Sequence, residues 1–197
     1  MEIDLTAFNG VLDPADNITG GGAASAIASA MAAGLVGLVA RVSIGKKNMV
    51  EPDEVYREID ARSQELANEL VAGSNADSAA FGKVMDAYRL PRETDEEKAD
   101  RSAAIQSATA GATDVPLANA AHGLQVLELA ARLEGKSNVN ALSDLECAVF
   151  LAKAGVQGAL SNAAINIEGL SDPNQVGYFR ARYESLRGKL AAIESAS

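Results

Sequence analysis

Asp77 is the residue whose position most needs a chemical account. It follows Leu70 by seven residues, precedes Phe81 by four and precedes Tyr88 by eleven. On one continuous helix those intervals put its carboxylate on the apolar stripe. An ionised carboxylate rarely sits there unpaired, because desolvation is costly. Two readings stay open. If the helix breaks at Gly73, Asp77 is a local cap or turn residue beside Asn75. If it does not, Asp77 is a carboxyl group in a cleft with a raised pKa, suited to general acid/base work.

Other residues have chemistry to offer but have ordinary explanations too. Gly20, Gly21 and Gly22 precede a helix, where free N–H groups can meet an anion or a ligand edge; a flexible entry loop explains them as well. Asn162 and Asn166 stand four apart, in line with Gly155, Gly158 and Ala159. They are either amides that lock a tight helix contact or amides that face a polar ligand. Lys46, Lys47, Arg41 and Arg89 are local cations, which an acidic protein needs to hold an anionic ligand. Helix-end and snorkelling roles compete with that. Asn138, Asn140, Ser143 and Asp144 read first as turn and cap residues. His122 has no nucleophile placed beside it by any motif and reads as surface or packing. Cys147 has no activating neighbour and reads as a packed thiol.

The composition excludes several classes. Lys plus Arg number 17 and Asp plus Glu 27, a net charge of −10. The pI near 4.6 argues against nucleic acid as a partner. One cysteine cannot make an internal disulfide, and one Cys with one His cannot make the usual zinc sites. The N-terminus has no basic and apolar signal pattern, so the expected location is cytoplasmic. No charge occurs from Asn17 to Ala40, long enough for a membrane span. The segment is mostly Ala, Gly and Ser, which gain little in lipid, so a buried helix is expected and no membrane.

These side chains need helices to hold them. Roughly a fifth of the 197 residues are alanine, the best helix former, and runs that alternate in the manner of strands are hard to find. Helices are expected over residues 3–12, 22–44 with Gly45 closing the end, and 53–88. Another runs from Thr94–Glu97 to about 134 with a kink or short break at Pro116. The last two are a helix capped by Ser143 or Asp144 that ends near Ile167, and one over about 174–194. The Thr19 hydroxyl is a candidate N-cap or a candidate ligand contact. The fold class is all-α, one antiparallel bundle of long helices over 1–197.

Several segments together resemble the formiminotransferase-cyclodeaminase C-terminal domain and its stand-alone methenyltetrahydrofolate cyclohydrolase relatives. They are Thr19-Gly-Gly-Gly-Ala23, Ser43-Ile-Gly-Lys-Lys47, Asn75-Ala-Asp-Ser-Ala-Ala-Phe81 and Tyr88-Arg-Leu-Pro91. Val115-Pro116, Asn138-Val-Asn140, Ser143-Asp144 and Asn162 to Ile167 follow in order. Thr19 and Ala23 depart from the family's usual Pro and Ser. The resemblance implies an all-helical homodimer with a tetrahydrofolate derivative in a cleft, and no cofactor or metal beyond that substrate. It makes Asp77 the catalytic acid/base. It groups Gly20, Gly21, Gly22, Asn140, Asp144, Asn162 and Asn166 around the cleft, with Lys46 and Lys47, and Arg41 or Arg89, for the folate carboxylates. The implied reaction is hydrolysis of 5,10-methenyltetrahydrofolate to 10-formyltetrahydrofolate. The alternatives are cyclodeamination of 5-formiminotetrahydrofolate and folate binding without catalysis.

Overall fold

The computed structural model describes residues 4–47 and 49–196. Its helices are α1 (Thr6–Leu12), α2 (Gly21–Ser43), α3 (Asp53–Tyr88), α4 (Asp95–Leu133), α5 (Leu142–Glu168) and α6 (Pro173–Ala196), with a 3-10 turn over Val139–Ala141. Among the described residues there is no strand. Ile3, expected at the start of the first helix, lies outside them.

Helices α2 to α5 form a four-helix bundle. α2 packs beside α3 and α5, α4 packs beside the same two, and α2 also touches α4 across the middle. α1 leans on α2 and α3, and α6 covers α4 and α5. The alanine and glycine of α2 explain its central place, since small residues let helix axes approach closely. A Cβ added at Gly155 of α5 would lie 2.2 Å from Ser29 Oγ and 2.6 Å from the Ser25 carbonyl. Larger side chains fill the space towards α3 and α4, where Tyr56, Ile59, Leu66, Leu70, Leu117 and Leu133 are fully buried.

Two stretches, α2 and residues 139–168, are long and apolar enough to cross a bilayer by composition. In the fold they pack against each other.

The punctuation behaves in part as expected. Gly45 takes φ +69° just after α2, the left-handed geometry glycine supplies at helix ends. Thr94 and Glu97 form a reciprocal capping box at the start of α4, satisfying two orphan N–H groups. Three expectations need correcting. α4 runs without a break through Pro116, which is buried within it. α5 starts at Leu142 after Ala141 with no side-chain cap, so Ser143 and Asp144 lie inside its first turn. Thr19 does not cap α2: the N-cap is Gly20, and the Thr19 hydroxyl donates to Asp16 Oδ2 at 2.8 Å.

Candidate functional site

Helix α3 passes Gly73 without a break, which decides between the two readings of Asp77. The α3 backbone is held there by Asn119 of α4, whose Nδ2 donates to the Gly73 carbonyl at 3.2 Å. Asp77 therefore stays on the inward face and is buried, 8% exposed. Its carboxylate meets the first turn of α2. A Cβ built on Gly22 would fall 2.4 Å from both carboxylate oxygens, so only glycine admits Asp77 at this depth. Burial pushes its pKa up from 3.8 to about 6, while the Ala23 backbone N–H pulls the other way. Desolvation outweighs the single hydrogen bond because no cationic side chain lines the cleft.

That cleft has a volume of about 260 Å³. Its floor is Asp77, with Gly20, Gly21 and Gly22 on one side and Asn162 and Asn166 of α5 on another. Phe81 and Ile165 give it apolar walls. Asn166 Nδ2 donates to the Ala112 carbonyl at 2.7 Å and to Asn162 Oδ1 at 3.2 Å. Asn166 thus clamps α5 to α4, and the Asn162 Oδ1 accepts from it. The packing reading of this pair holds for Asn166, and Asn162 lines the cleft.

Sequence reasoning did not single out Ile18, Ala112 or Ile165, which also line the cleft. Asp16 organises the loop that carries Ile18. It accepts the Ile18 and Thr19 N–H groups at 2.6 and 2.9 Å. Those bonds and the Thr19 hydroxyl hold its carboxyl below the usual range. The Asp-x-x-Thr spacing was the available signal.

Other anticipated residues are not brought to this cleft within one chain. Lys46 and Lys47 follow the far end of α2, about 35 Å away by helix rise. Asn140 and Asp144 lie at that same end, where Asn138 N–H donates to Ser43 Oγ at 2.9 Å and Asn138 Nδ2 to the Val42 carbonyl at 3.0 Å. Arg89 ends α3 in an exposed pair with Asp86 at 2.8 Å. Arg41 is paired with Asp60. His122 faces Glu69, 3.6 Å away. Cys147 is exposed, not packed, because it falls on the outer face of the α5 start. Among the described residues no cluster of His, Cys, Asp or Glu is placed to hold a metal ion.

The chain is thus an all-helical bundle in which a buried carboxyl of raised pKa sits beside a glycine helix start and faces an open cleft. The chain belongs to the formiminotransferase-cyclodeaminase family, whose model matches residues 4–185. It is 42% identical to methenyltetrahydrofolate cyclohydrolase of Methylorubrum extorquens over 87% of this chain and 81% of that protein. It is 32% identical to formimidoyltransferase-cyclodeaminase of Gallus gallus over 78% of this chain, but spans only 28% of that longer protein. The fold matches formiminotetrahydrofolate cyclodeaminase of Thermotoga maritima with a TM-score of 0.83, at 24% identity, over 98% of this chain and 92% of that one.

Proposed function

We propose that the protein hydrolyses 5,10-methenyltetrahydrofolate to 10-formyltetrahydrofolate, with Asp77 as general acid/base. The observation that carries the reading is the Asp77 carboxyl, buried against Gly22 and raised to about 6. It is supported by the 42% identity to a cyclohydrolase over most of both chains.

The steps follow from the groups present. Ionised Asp77 accepts a proton as water adds to the cationic methenyl carbon, giving a neutral carbinolamine. The carbinolamine hydroxyl then loses its proton to solvent as the C=O forms. The carbon–N5 bond breaks, and Asp77 returns its proton to N5. The balance is substrate cation plus water giving 10-formyl product plus one proton. Asn162 Nδ2 and the N–H groups at the α2 start orient the ligand by donating to its polar edge. Phe81 and Ile165 supply apolar contact for its flat ring system. General acid/base help of this kind is worth roughly 10²- to 10⁴-fold.

A second reading keeps the same residues. In cyclodeamination N10 of 5-formiminotetrahydrofolate attacks the formimino carbon, and Asp77 protonates the departing ammonia. The resemblance to formimidoyltransferase-cyclodeaminases favours it. Two absorbance assays of the methenyl chromophore separate the readings. Loss of the band from methenyltetrahydrofolate marks the hydrolase, and growth from 5-formiminotetrahydrofolate marks the deaminase. Asp77→Asn is expected to keep folate affinity within a few-fold and to lose 10²-fold or more in kcat. Near-normal kcat in that variant would remove Asp77 from the mechanism.

A further inference from the structure

The loop between α1 and α2 forms one wall of the cleft through Asn17, Ile18 and Thr19. Ile18 is its apolar member and is 40% exposed, so burial does not hold it there. Backbone pairing does not hold it either. The turn bonds of this loop stop at the Asp16 N–H, and α2 begins with the Ala24 N–H bonded to the Gly20 carbonyl. Between them, residues 17–19 make no backbone–backbone hydrogen bond among the described residues.

The Asp16 carboxylate holds the wall instead. Its Oδ1 accepts the Ile18 and Thr19 N–H groups at 2.6 and 2.9 Å, and its Oδ2 accepts the Thr19 hydroxyl at 2.8 Å. Three hydrogen bonds to one side chain close this stretch into a single shape. The same bonds keep the carboxyl ionised to lower pH than an ordinary aspartate.

The staple is tied back to the catalytic helix. Behind it stands Gly10 of α1, where a Cβ would lie 2.6 Å from Thr19 Oγ1 and 2.7 Å from Asp16 Oδ2. A helix-interior glycine costs about 1 kcal/mol relative to alanine, and here it permits this close approach. α1 in turn is fixed to α3, because Asn75 Oδ1 accepts the Ala7 N–H at 2.9 Å. That bond satisfies one of the free donors of the first turn of α1. Asn75 stands two residues before Asp77. A continuous path therefore runs from Asp77 through Asn75, α1 and Asp16 to Ile18, and it sets the wall relative to the carboxyl at the floor.

We propose that Asp16 is a positioning residue of the cleft: by stapling Ile18 and Thr19 it presents a preformed apolar wall to the flat ring system of the substrate, and so governs binding rather than proton transfer at Asp77. The part in substrate binding rests on the folate reading above; the staple itself does not. Without the staple the substrate must order the loop, and affinity falls with the fraction of molecules whose loop is in place.

Steady-state kinetics with 5,10-methenyltetrahydrofolate test the binding role. Asp16→Ala should raise KM about tenfold and leave kcat within about twofold of wild type, the signature of lost uniform binding. Asp16→Asn separates hydrogen bonding from charge. Its Oδ1 still accepts both N–H groups and its Nδ2 donates to the Thr19 hydroxyl, so KM should stay within about threefold of wild type. Thr19→Val, which removes the hydroxyl bond alone, should fall between the two. Ile18→Ala should raise KM as well, and adding Asp16→Ala to it should raise KM by less than about twofold more, because Asp16 acts through that side chain. The staple is read without any folate by amide exchange followed by NMR. The Ile18 and Thr19 amides should exchange about tenfold more slowly in wild type and Asp16→Asn than in Asp16→Ala. Asp16→Ala with a wild-type KM, or with a lowered kcat at unchanged KM, overturns the proposal. Asp16→Asn as impaired as Asp16→Ala overturns it too, since charge and not the hydrogen bonds would carry the effect, and so does an additive pair with Ile18→Ala. Unprotected Ile18 and Thr19 amides in wild type overturn the staple outright. A wild type that turns over neither 5,10-methenyltetrahydrofolate nor 5-formiminotetrahydrofolate rejects the folate reading, and the exchange alone then decides the staple.

Discussion

At the scale of the residue, one carboxyl and one missing side chain explain each other. Gly22 admits Asp77 to a depth where desolvation raises its pKa to about 6. Gly22→Ala puts a methyl group onto both carboxylate oxygens, so the carboxyl must move outwards. Displacement of that size is expected to cost on the order of 10²-fold in kcat, with thermal stability little changed; both can be read on one preparation. The raised pKa also fixes two pH dependences. As a general base in the free enzyme, Asp77 makes kcat/KM for hydrolysis rise through about pH 6. The inflection in kcat falls lower, because the bound methenyl cation favours the ionised form. For stability, a carboxyl with a raised folded-state pKa favours the fold while protonated. That benefit is complete below the unfolded value near 3.8 and is lost as pH rises through about 6. Asp77→Asn should therefore be more stable than wild type at pH 8 by roughly 3 kcal/mol. The gap should close below pH 4, as thermal melts across that range would measure.

At the scale of the element, the helices were legible where the apolar spacing was regular. α3 follows the stripe from Val55 to Tyr88 as expected, and Gly73 does not interrupt it, because Asn119 of α4 fills the space a side chain would take. Helix ends were less legible. Nothing local distinguishes Ser143 as a cap from Ser143 inside the first turn; the preceding 3-10 turn decides it. Asp77, the glycine triplet and both asparagines were readable as candidates, since each is a polar or small residue where the pattern asks for something else. The apolar walls of the cleft were not, because Ile18 and Ile165 look like ordinary core residues until neighbouring helices leave them uncovered. The α2–α5 contact gives the prediction for this scale. Gly155→Ala must push α5 away from Ser25 and Ser29 and is expected to cost about 1–3 kcal/mol by urea denaturation.

At the scale of the whole molecule, α2 touches every other long helix except α6. Its amides are expected to exchange hydrogen only on global unfolding, while α1 and the outer half of α6 open first; native-state exchange followed by mass spectrometry ranks them. The same arrangement ties reactivity to packing. The acidity of Asp77 is set by how deeply α3 presses on the first turn of α2, and that depth depends on small residues all along the seam. In evolutionary time, a drift in core volume would register as a shifted pH optimum before it registered as a loss of folding, so selection on metabolic rate and selection on packing act here on the same positions.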